Sequence, residues 1–277
     1  MSYDCIEKKD GALFQHGKAN NRLYLMKWDG NEPARLLQTI DRLAATNGYT
    51  KAFIKVPEHH ASFFAQNGFE EEARIPAYYD LTACIFMGKF FHPDRKKVLP
   101  QTQETMDRNL ALALDKGRVK TPPAIPQGFC LRELISGDCK QLAALYRNVF
   151  QTYPFPIHDP AYLEQTIKEN VAYFGIFSDK TLIAASSAEM DLKTSSVEFT
   201  DFGTNPDYRG NAFAAILLAK MENKMTIRGI KTRYTIARAL SPGMNITFAK
   251  AGYRYAGTLI NNTGISGNIE SMNVWYK

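Results

Sequence analysis

Apolar side chains along residues 138–150 recur near one helical face: Leu142, Leu145, Val149 and Phe150. That spacing predicts an amphipathic helix. The stretch 103–116 reads the same way through Met106, Leu110, Leu112 and Leu114. Strands are predicted at 129–133, 172–177, 181–191 and 197–204, with Asp179-Lys180 and 193–195 as turns. Helices are expected at 161–169 and 212–228. Tyr153-Pro154-Phe155-Pro156 must be a loop, because alternating prolines remove amide donors. The second half therefore reads β-α-α-β-β-β-α-β-α-β-β.

The chain also echoes itself. Phe64-Ala65-Gln66-Asn67-Gly68-Phe69 resembles Phe248-Ala249-Lys250-Ala251-Gly252-Tyr253. Each segment follows a strand-like run, 51–56 or 232–237. Each precedes two further strand candidates, 70–78 and 83–90, or 253–259 and 270–276. The glycine is the expected helix stop. Between the halves, Thr121-Pro122-Pro123-Ala124-Ile125-Pro126 breaks regular structure. The reading is an α/β (α+β) chain with a mixed central sheet flanked by helices. It divides into an N-terminal unit at 1–92, a helical and proline-rich linker at 93–125, and a second unit at 126–277.

Composition narrows the function. Of 277 residues, 45% are hydrophobic and 22% charged, which is ordinary for a globular chain. No apolar run approaches the roughly 18–20 residues a bilayer requires. Met1-Ser2-Tyr3-Asp4-Cys5 lacks the basic and apolar regions of a signal peptide. The expectation is a soluble, cytoplasmic protein without a membrane role. Cys5, Cys84, Cys130 and Cys139 show no CxxC spacing and are read as reduced thiols. His59 and His60 are adjacent, so they do not easily face one ion, and no metal is expected. The net charge is +6, with one short basic run at Arg95-Lys96-Lys97. A solvated helix face explains that run, and attraction of an anionic cofactor is the alternative. Basic residues interleaved with aromatics are lacking, which argues against nucleic acid.

The informative segment starts at Phe202-Gly203-Thr204 and continues as Asn205-Pro206-Asp207-Tyr208-Arg209-Gly210-Asn211-Ala212-Phe213-Ala214. A strand ends, a small-residue turn follows and a helix begins. Free amides at the positive end of a helix dipole form a seat for phosphate. Small residues at 210, 212 and 214 allow close approach, and Arg209 adds a permanent charge.

This loop resembles the acyl-CoA pyrophosphate loop of the GNAT superfamily, [QR]-x-x-G-x-[GA], with Ala212 where glycine is usual. The resemblance implies acetyl-CoA as co-substrate and a GNAT fold. Asn245, Phe248 and Gly252-Tyr253 match the helix and turn after the fifth GNAT strand, which implies that Asn245 lies near the pantetheine arm. Phe248 stands where many members carry a tyrosine acid for the CoA thiolate, a role phenylalanine cannot fill. Residues 198–204, the loop, the C-terminal stretches 257–263 and 270–277, and the N-terminal 69–79 resemble the β-lysine N-acetyltransferase family. That resemblance implies acetylation of the ε-amine of β-lysine, the product of lysine 2,3-aminomutase, to give a compatible solute that serves as an osmoprotectant. It also implies direct attack in a ternary complex.

A primary ammonium, with pKa near 10.4, must lose a proton before it attacks a thioester. A carboxylate base is useful for this. Glu198 is the candidate, eleven residues before Arg209. Strand alternation puts Glu198, Thr200 and Phe202 on one face and Asp201 on the other, unless a bulge intervenes. Asp201, Glu189 and Glu270 are candidates for a second ammonium. Asn261 and Asn262 are candidates for the substrate carboxylate, and Tyr153 and Phe155 for the roof of the acceptor site. The N-terminal unit lacks the phosphate loop: Trp28-Asp29-Gly30-Asn31-Glu32-Pro33 occupies that turn, and Ala61 aligns with Asn245. It reads as a degenerate GNAT-like domain that packs on the active one or mediates a homodimer. The alternatives are acetylation of another small amine, such as lysine or a polyamine, and a non-catalytic acyl-CoA sensor.

Overall fold

The computed structural model describes residues 4–277, so Met1, Ser2 and Tyr3, on which the expectation about a leader partly rests, lie outside the described residues. The first half runs β1 (Cys5–Lys9), β2 (Ala12–Gly17), β3 (Arg22–Lys27), α1 (Pro33–Asn47), β4 (Lys51–Pro57), α2 (Glu58–Gln66), β5 (Glu70–Tyr79) and β6 (Thr82–Phe90). Two connecting helices follow, α3 (Pro93–Lys96) and α4 (Pro100–Leu114). The second half runs β7 (Phe129–Glu133), α5 (Cys139–Val149), α6 (Pro160–Lys168), β8 (Val171–Ser178), β9 (Thr181–Asp191) and β10 (Ser196–Thr204). It continues with α7 (Phe213–Ile227), β11 (Thr232–Arg238), α8 (Pro242–Lys250), β12 (Arg254–Ile265) and β13 (Asn268–Tyr276). The order from β1 to β6 is the order from β8 to β13. The internal echo is thus longer than the sequence pattern indicates, because β1 to β3 and α1 also have counterparts.

Among the described residues the strands form one mixed sheet, ordered β1-β2-β3-β4-β6-β5-β12-β13-β11-β10-β9-β8-β7. The parallel pairs are short. Strand β3 meets β4 only over Arg22–Tyr24, and β10 meets β11 only over Ser196–Glu198. Beyond the third residue each pair parts, which opens a gap in the sheet. Helix α1 shows why the flanking layers form. Leu36, Ile40, Leu43 and Ala44 make one buried stripe, Pro33 starts the helix, and Gly48 stops it at φ 67°.

The halves are joined edge to edge where Gly257 of β12 pairs with Ala73 of β5. An apolar cluster containing Phe53, Phe86, Tyr234, Leu259 and Val274 spans the seam. A buried ion pair reinforces it. Lys51 Nζ donates to both oxygens of Glu72 at 2.8 Å and to the Ile260 carbonyl at 2.7 Å. Glu72 in turn accepts from the Ile260 amide at 2.7 Å. Burial pushes the Lys51 pKa down to about 8, although Glu72 pulls the other way. No described helix is long and apolar enough to cross a membrane.

Candidate active site

Two openings lie on either side of β10. The first is a cleft of about 400 Å³ lined by Phe202, Thr204, Arg209, Gly210, Ala212, Ala214 and by Ser241, Met244 and Thr247 of α8. It sits over the start of α7. Among the described residues, the amides of Gly210, Asn211, Ala212, Phe213 and Ala214 have no protein acceptor. The loop braces itself instead, with Asn211 Nδ2 donating to the Tyr208 carbonyl at 2.9 Å. Arg209, Gly210, Asn211 and Ala212 are exposed, so the donors face an open cleft. This is the chemistry a diphosphate requires.

The loop departs from expectation in its backbone. Ala212 is tolerable where φ is negative, but here it caps α7 in the left-handed region at φ 56°. Gly210 is also left-handed, at 89°. A side chain in that region costs about 1 kcal/mol or more. Ala212→Gly is therefore expected to stabilise the protein by about 1 kcal/mol, without weakening acetyl-CoA binding. A thermal melt and a titration with acetyl-CoA check both parts.

Three of the residues assigned to the cofactor are placed elsewhere. Asn245 is fully buried and all its amide capacity is used inside the protein. Its Nδ2 donates to the carbonyls of Arg238 and Ser241, and its Oδ1 accepts from Asn273 Nδ2 and Trp275 Nε1 at 2.9 Å. It ties α8 to β13 and is not free for a pantetheine. Phe248 packs edge-on against Phe202 and Tyr253 in the core. Gly203 faces the Tyr146 and Phe150 rings rather than the cleft.

The second opening is a cavity of about 550 Å³ between the two halves. It collects Glu189, Glu198, Asp201, Tyr153 and Phe155, all anticipated, with Tyr24, Lys55, Tyr78, Tyr162, Tyr173 and Tyr234, which were not. Glu189 and Glu198 stand directly opposite each other across β9 and β10. Like charges in that position repel. Neither forms an ion pair within 4.0 Å among the described residues. Burial, then Glu198 and Asp201, hold the Glu189 carboxyl well above its ordinary range. Glu198 is also raised, by burial and Asp201, with Lys55 and a Tyr234 hydrogen bond opposing.

Asp201 corrects the simple alternation. The β9–β10 register shifts between Thr200 and Gly203, and Asp201 takes φ 54°. The resulting bulge turns its carboxylate into the same cavity as Glu198. There it accepts from Tyr153 Oη, from Ser187 Oγ at 2.8 Å and from Thr200 Oγ1 at 3.4 Å. Burial raises its pKa, and these hydroxyls oppose the rise. No group of three such side chains is arranged for a metal ion among the described residues.

The structure does not bring Asn261, Asn262 or Glu270 to this cavity. Glu270 is held by Arg238 at 2.7 and 2.9 Å. Asn261 Nδ2 donates to the carbonyls of Arg95 and Lys97, and the Asn262 carbonyl accepts from Arg22 at 2.7 Å. These asparagines stitch β12 to the first half. Arg95, the first of the three basic residues in the run read as a solvated face or cofactor attractor, is buried in the same seam.

Carboxyls with raised folded-state pKa values bind more protons in the native state than in the unfolded one. Stability of the free protein is therefore lost as pH rises through the window above the ordinary carboxyl value of about 4.3. Glu189→Gln should melt higher than the parent at pH 8, and the gap should close towards pH 5. Melts across that range without a converging gap would count against a strained carboxylate pair.

Residues 140–253 match the acetyltransferase (GNAT) family. The chain is 38% identical over 274 residues to a beta-lysine N(6)-acetyltransferase of Methanococcus maripaludis, covering 98% of this chain and 97% of that protein. It is 31% identical to the N-acetyltransferase YodP of Bacillus subtilis over 96% and 95% of the two chains. A beta-lysine N(6)-acetyltransferase of Methanosarcina mazei is 29% identical over 84% of this chain and 93% of its own. With the open-amide loop, the parted strands and these full-length relatives together, the chain is an acyltransferase that belongs to the GNAT family of acetyltransferases.

Proposed function

We infer that the protein moves the acetyl group of acetyl-CoA to the ε-amine of β-lysine, yielding N-ε-acetyl-β-lysine and CoA. The observation that carries this reading is the unpaired carboxylate couple Glu189 and Glu198 facing one cavity beside Asp201. Such a couple needs a cation, and an ammonium substrate supplies it. β-Lysine brings two ammonium groups, and two of the relatives carry its name.

In this reading the amides of Gly210 to Ala214 and the Arg209 guanidinium hold the diphosphate, and the thioester enters where β10 and β11 part. Glu198 takes a proton from the ε-ammonium, directly or through water. The freed nitrogen attacks the carbonyl carbon, the C–N bond forms and the C–S bond breaks; the proton still in excess on that nitrogen passes through water to the departing thiolate, so that a neutral amide and CoA result. Glu189 and Asp201 face the second ammonium. Tyr153 and Phe155 roof the cavity and limit water. The substrate's source would be a lysine 2,3-aminomutase.

A thiol-release assay with β-lysine, lysine and polyamines tests the reading. β-Lysine should give the highest kcat/KM. Turnover of polyamines with none of β-lysine rejects it, and acetyl-CoA binding without transfer to any amine favours a sensor.

A further inference from the structure

We propose that Lys55, contributed by the N-terminal half, is the anion subsite of the acceptor cavity: it receives the substrate's carboxylate and so selects diamino acids over polyamines. This rests on the acetyl-transfer reading above and adds a determinant of substrate class.

Lys55 lies in β4 between Ile54 and Val56, both fully buried. A cation inside an apolar strand requires a reason. Alternation turns it to the same side as Phe53, towards the second half. Its Nζ donates to Tyr234 Oη at 3.1 Å and stands 5.5 Å from the ring centres of Tyr24 and Tyr234. Among the described residues no carboxylate comes within 4.0 Å of it. An ammonium has three donors, so the cation reaches the cavity with hydroxyl and aromatic support and no carboxylate in direct contact. The titratable groups nearest it are Tyr24, Tyr78, Tyr234 and Glu198, and its charge also acts on Glu189 across the cavity. Lys27, the other cation lining the cavity, is exposed at the end of β3.

The internal echo accounts for the placement. In the second half the third pair of the parallel register is Glu198 with Tyr234. In the first half it is Tyr24 with Phe53. The first half therefore has a tyrosine at the position of the carboxylate, and it sets a lysine close by. The two walls carry opposite charge. A diamino acid matches them, with ammonium groups on the Glu189 and Glu198 wall and its carboxylate on Lys55. A polyamine would set a second ammonium against Lys55.

The test compares wild type, Lys55→Met and Lys55→Arg on matched pairs: β-lysine with its decarboxylated diamine, and lysine with cadaverine. Lys55→Met should raise KM for the carboxylate member of each pair about 10- to 100-fold, as expected for a lost charge-assisted bond. KM for the diamines should stay level or fall, and Lys55→Arg should restore much of the discrimination. Unchanged acetyl-CoA binding shows that the variant is folded. If Lys55 serves only to tune Glu198, both members lose kcat alike and the acid limb of the pH profile moves, which overturns the proposal. A wild type that prefers the diamine in both pairs also overturns it. If β-lysine is not a substrate but lysine is, the β-lysine reading fails, while the lysine and cadaverine pair still judges Lys55.

Discussion

Glu198→Gln should lower kcat by about 10²- to 10⁴-fold, the usual contribution of a positioned general base, the role proposed for Glu198. The sign of its pH effect follows from the cavity. Burial and Asp201 lift the Glu198 pKa above its ordinary value, which brings it nearer to a working pH and strengthens it as a base. Under the proposed mechanism, the acid limb of kcat/KM in the parent should fall as Glu198 takes up a proton. In the variant that limb is gone. The rate then follows the fraction of free amine, whose pKa is about 10.4, so the optimum moves upward. The KM for acetyl-CoA holds, because the phosphate loop lies on the other side of β10. Steady-state kinetics between pH 6 and 10 measure all three effects. Unaltered rates would remove Glu198 from proton transfer.

Gly257→Ala should be the most damaging single methyl in the chain. Gly257 has φ 147° and makes the one register contact between β5 and β12. An added Cβ would overlap the Glu72 carbonyl oxygen and lie 2.7 Å from Ala73 Cα. Both neighbours are backbone, so neither can step aside without separating the strands. Strain at such a φ and overpacking each cost about 1–3 kcal/mol. A loss of about 3 kcal/mol or more is expected, roughly 5 °C in Tm for a chain of this length. Because Tyr24, Tyr78 and Tyr234 of the seam cluster also line the cavity between the halves, the proposed acceptor site, KM for the amine should rise more than KM for acetyl-CoA. A melt within 1 °C of the parent would show that the junction is carried elsewhere.

The second half was legible because its signals are local. Residues 181–191 read as one strand and form one, and the predicted order of elements from residue 129 onward is the observed one. The turn with open amides before α7 was legible through Gly210 and its small neighbours, which mark a strand-to-helix turn. What escaped depends on distant partners. Strands β1 to β3 pair mainly among themselves at the sheet's far end, and Cys5–Lys9 carries little apolar alternation. Asp201 escaped because one bulge reverses the side to which it points. Asn261 and Asn262 resemble turn or ligand residues. They sit inside the long strand β12, where its pairing shifts between Leu259 and Thr263. Lys55 was overlooked although a lone charge between Ile54 and Val56 was a usable signal, because nothing in the sequence shows which surface that strand faces.

The continuous sheet has a consequence for enzymes that work at low copy number. The opposing walls of the cavity between the halves are segments of a single polypeptide, joined through α3 and α4. A site assembled between separate subunits comes apart on dilution, whereas covalent tethering holds its local concentration near the millimolar range or higher. Under the proposed function, specific activity on the amine should therefore hold as the protein is diluted.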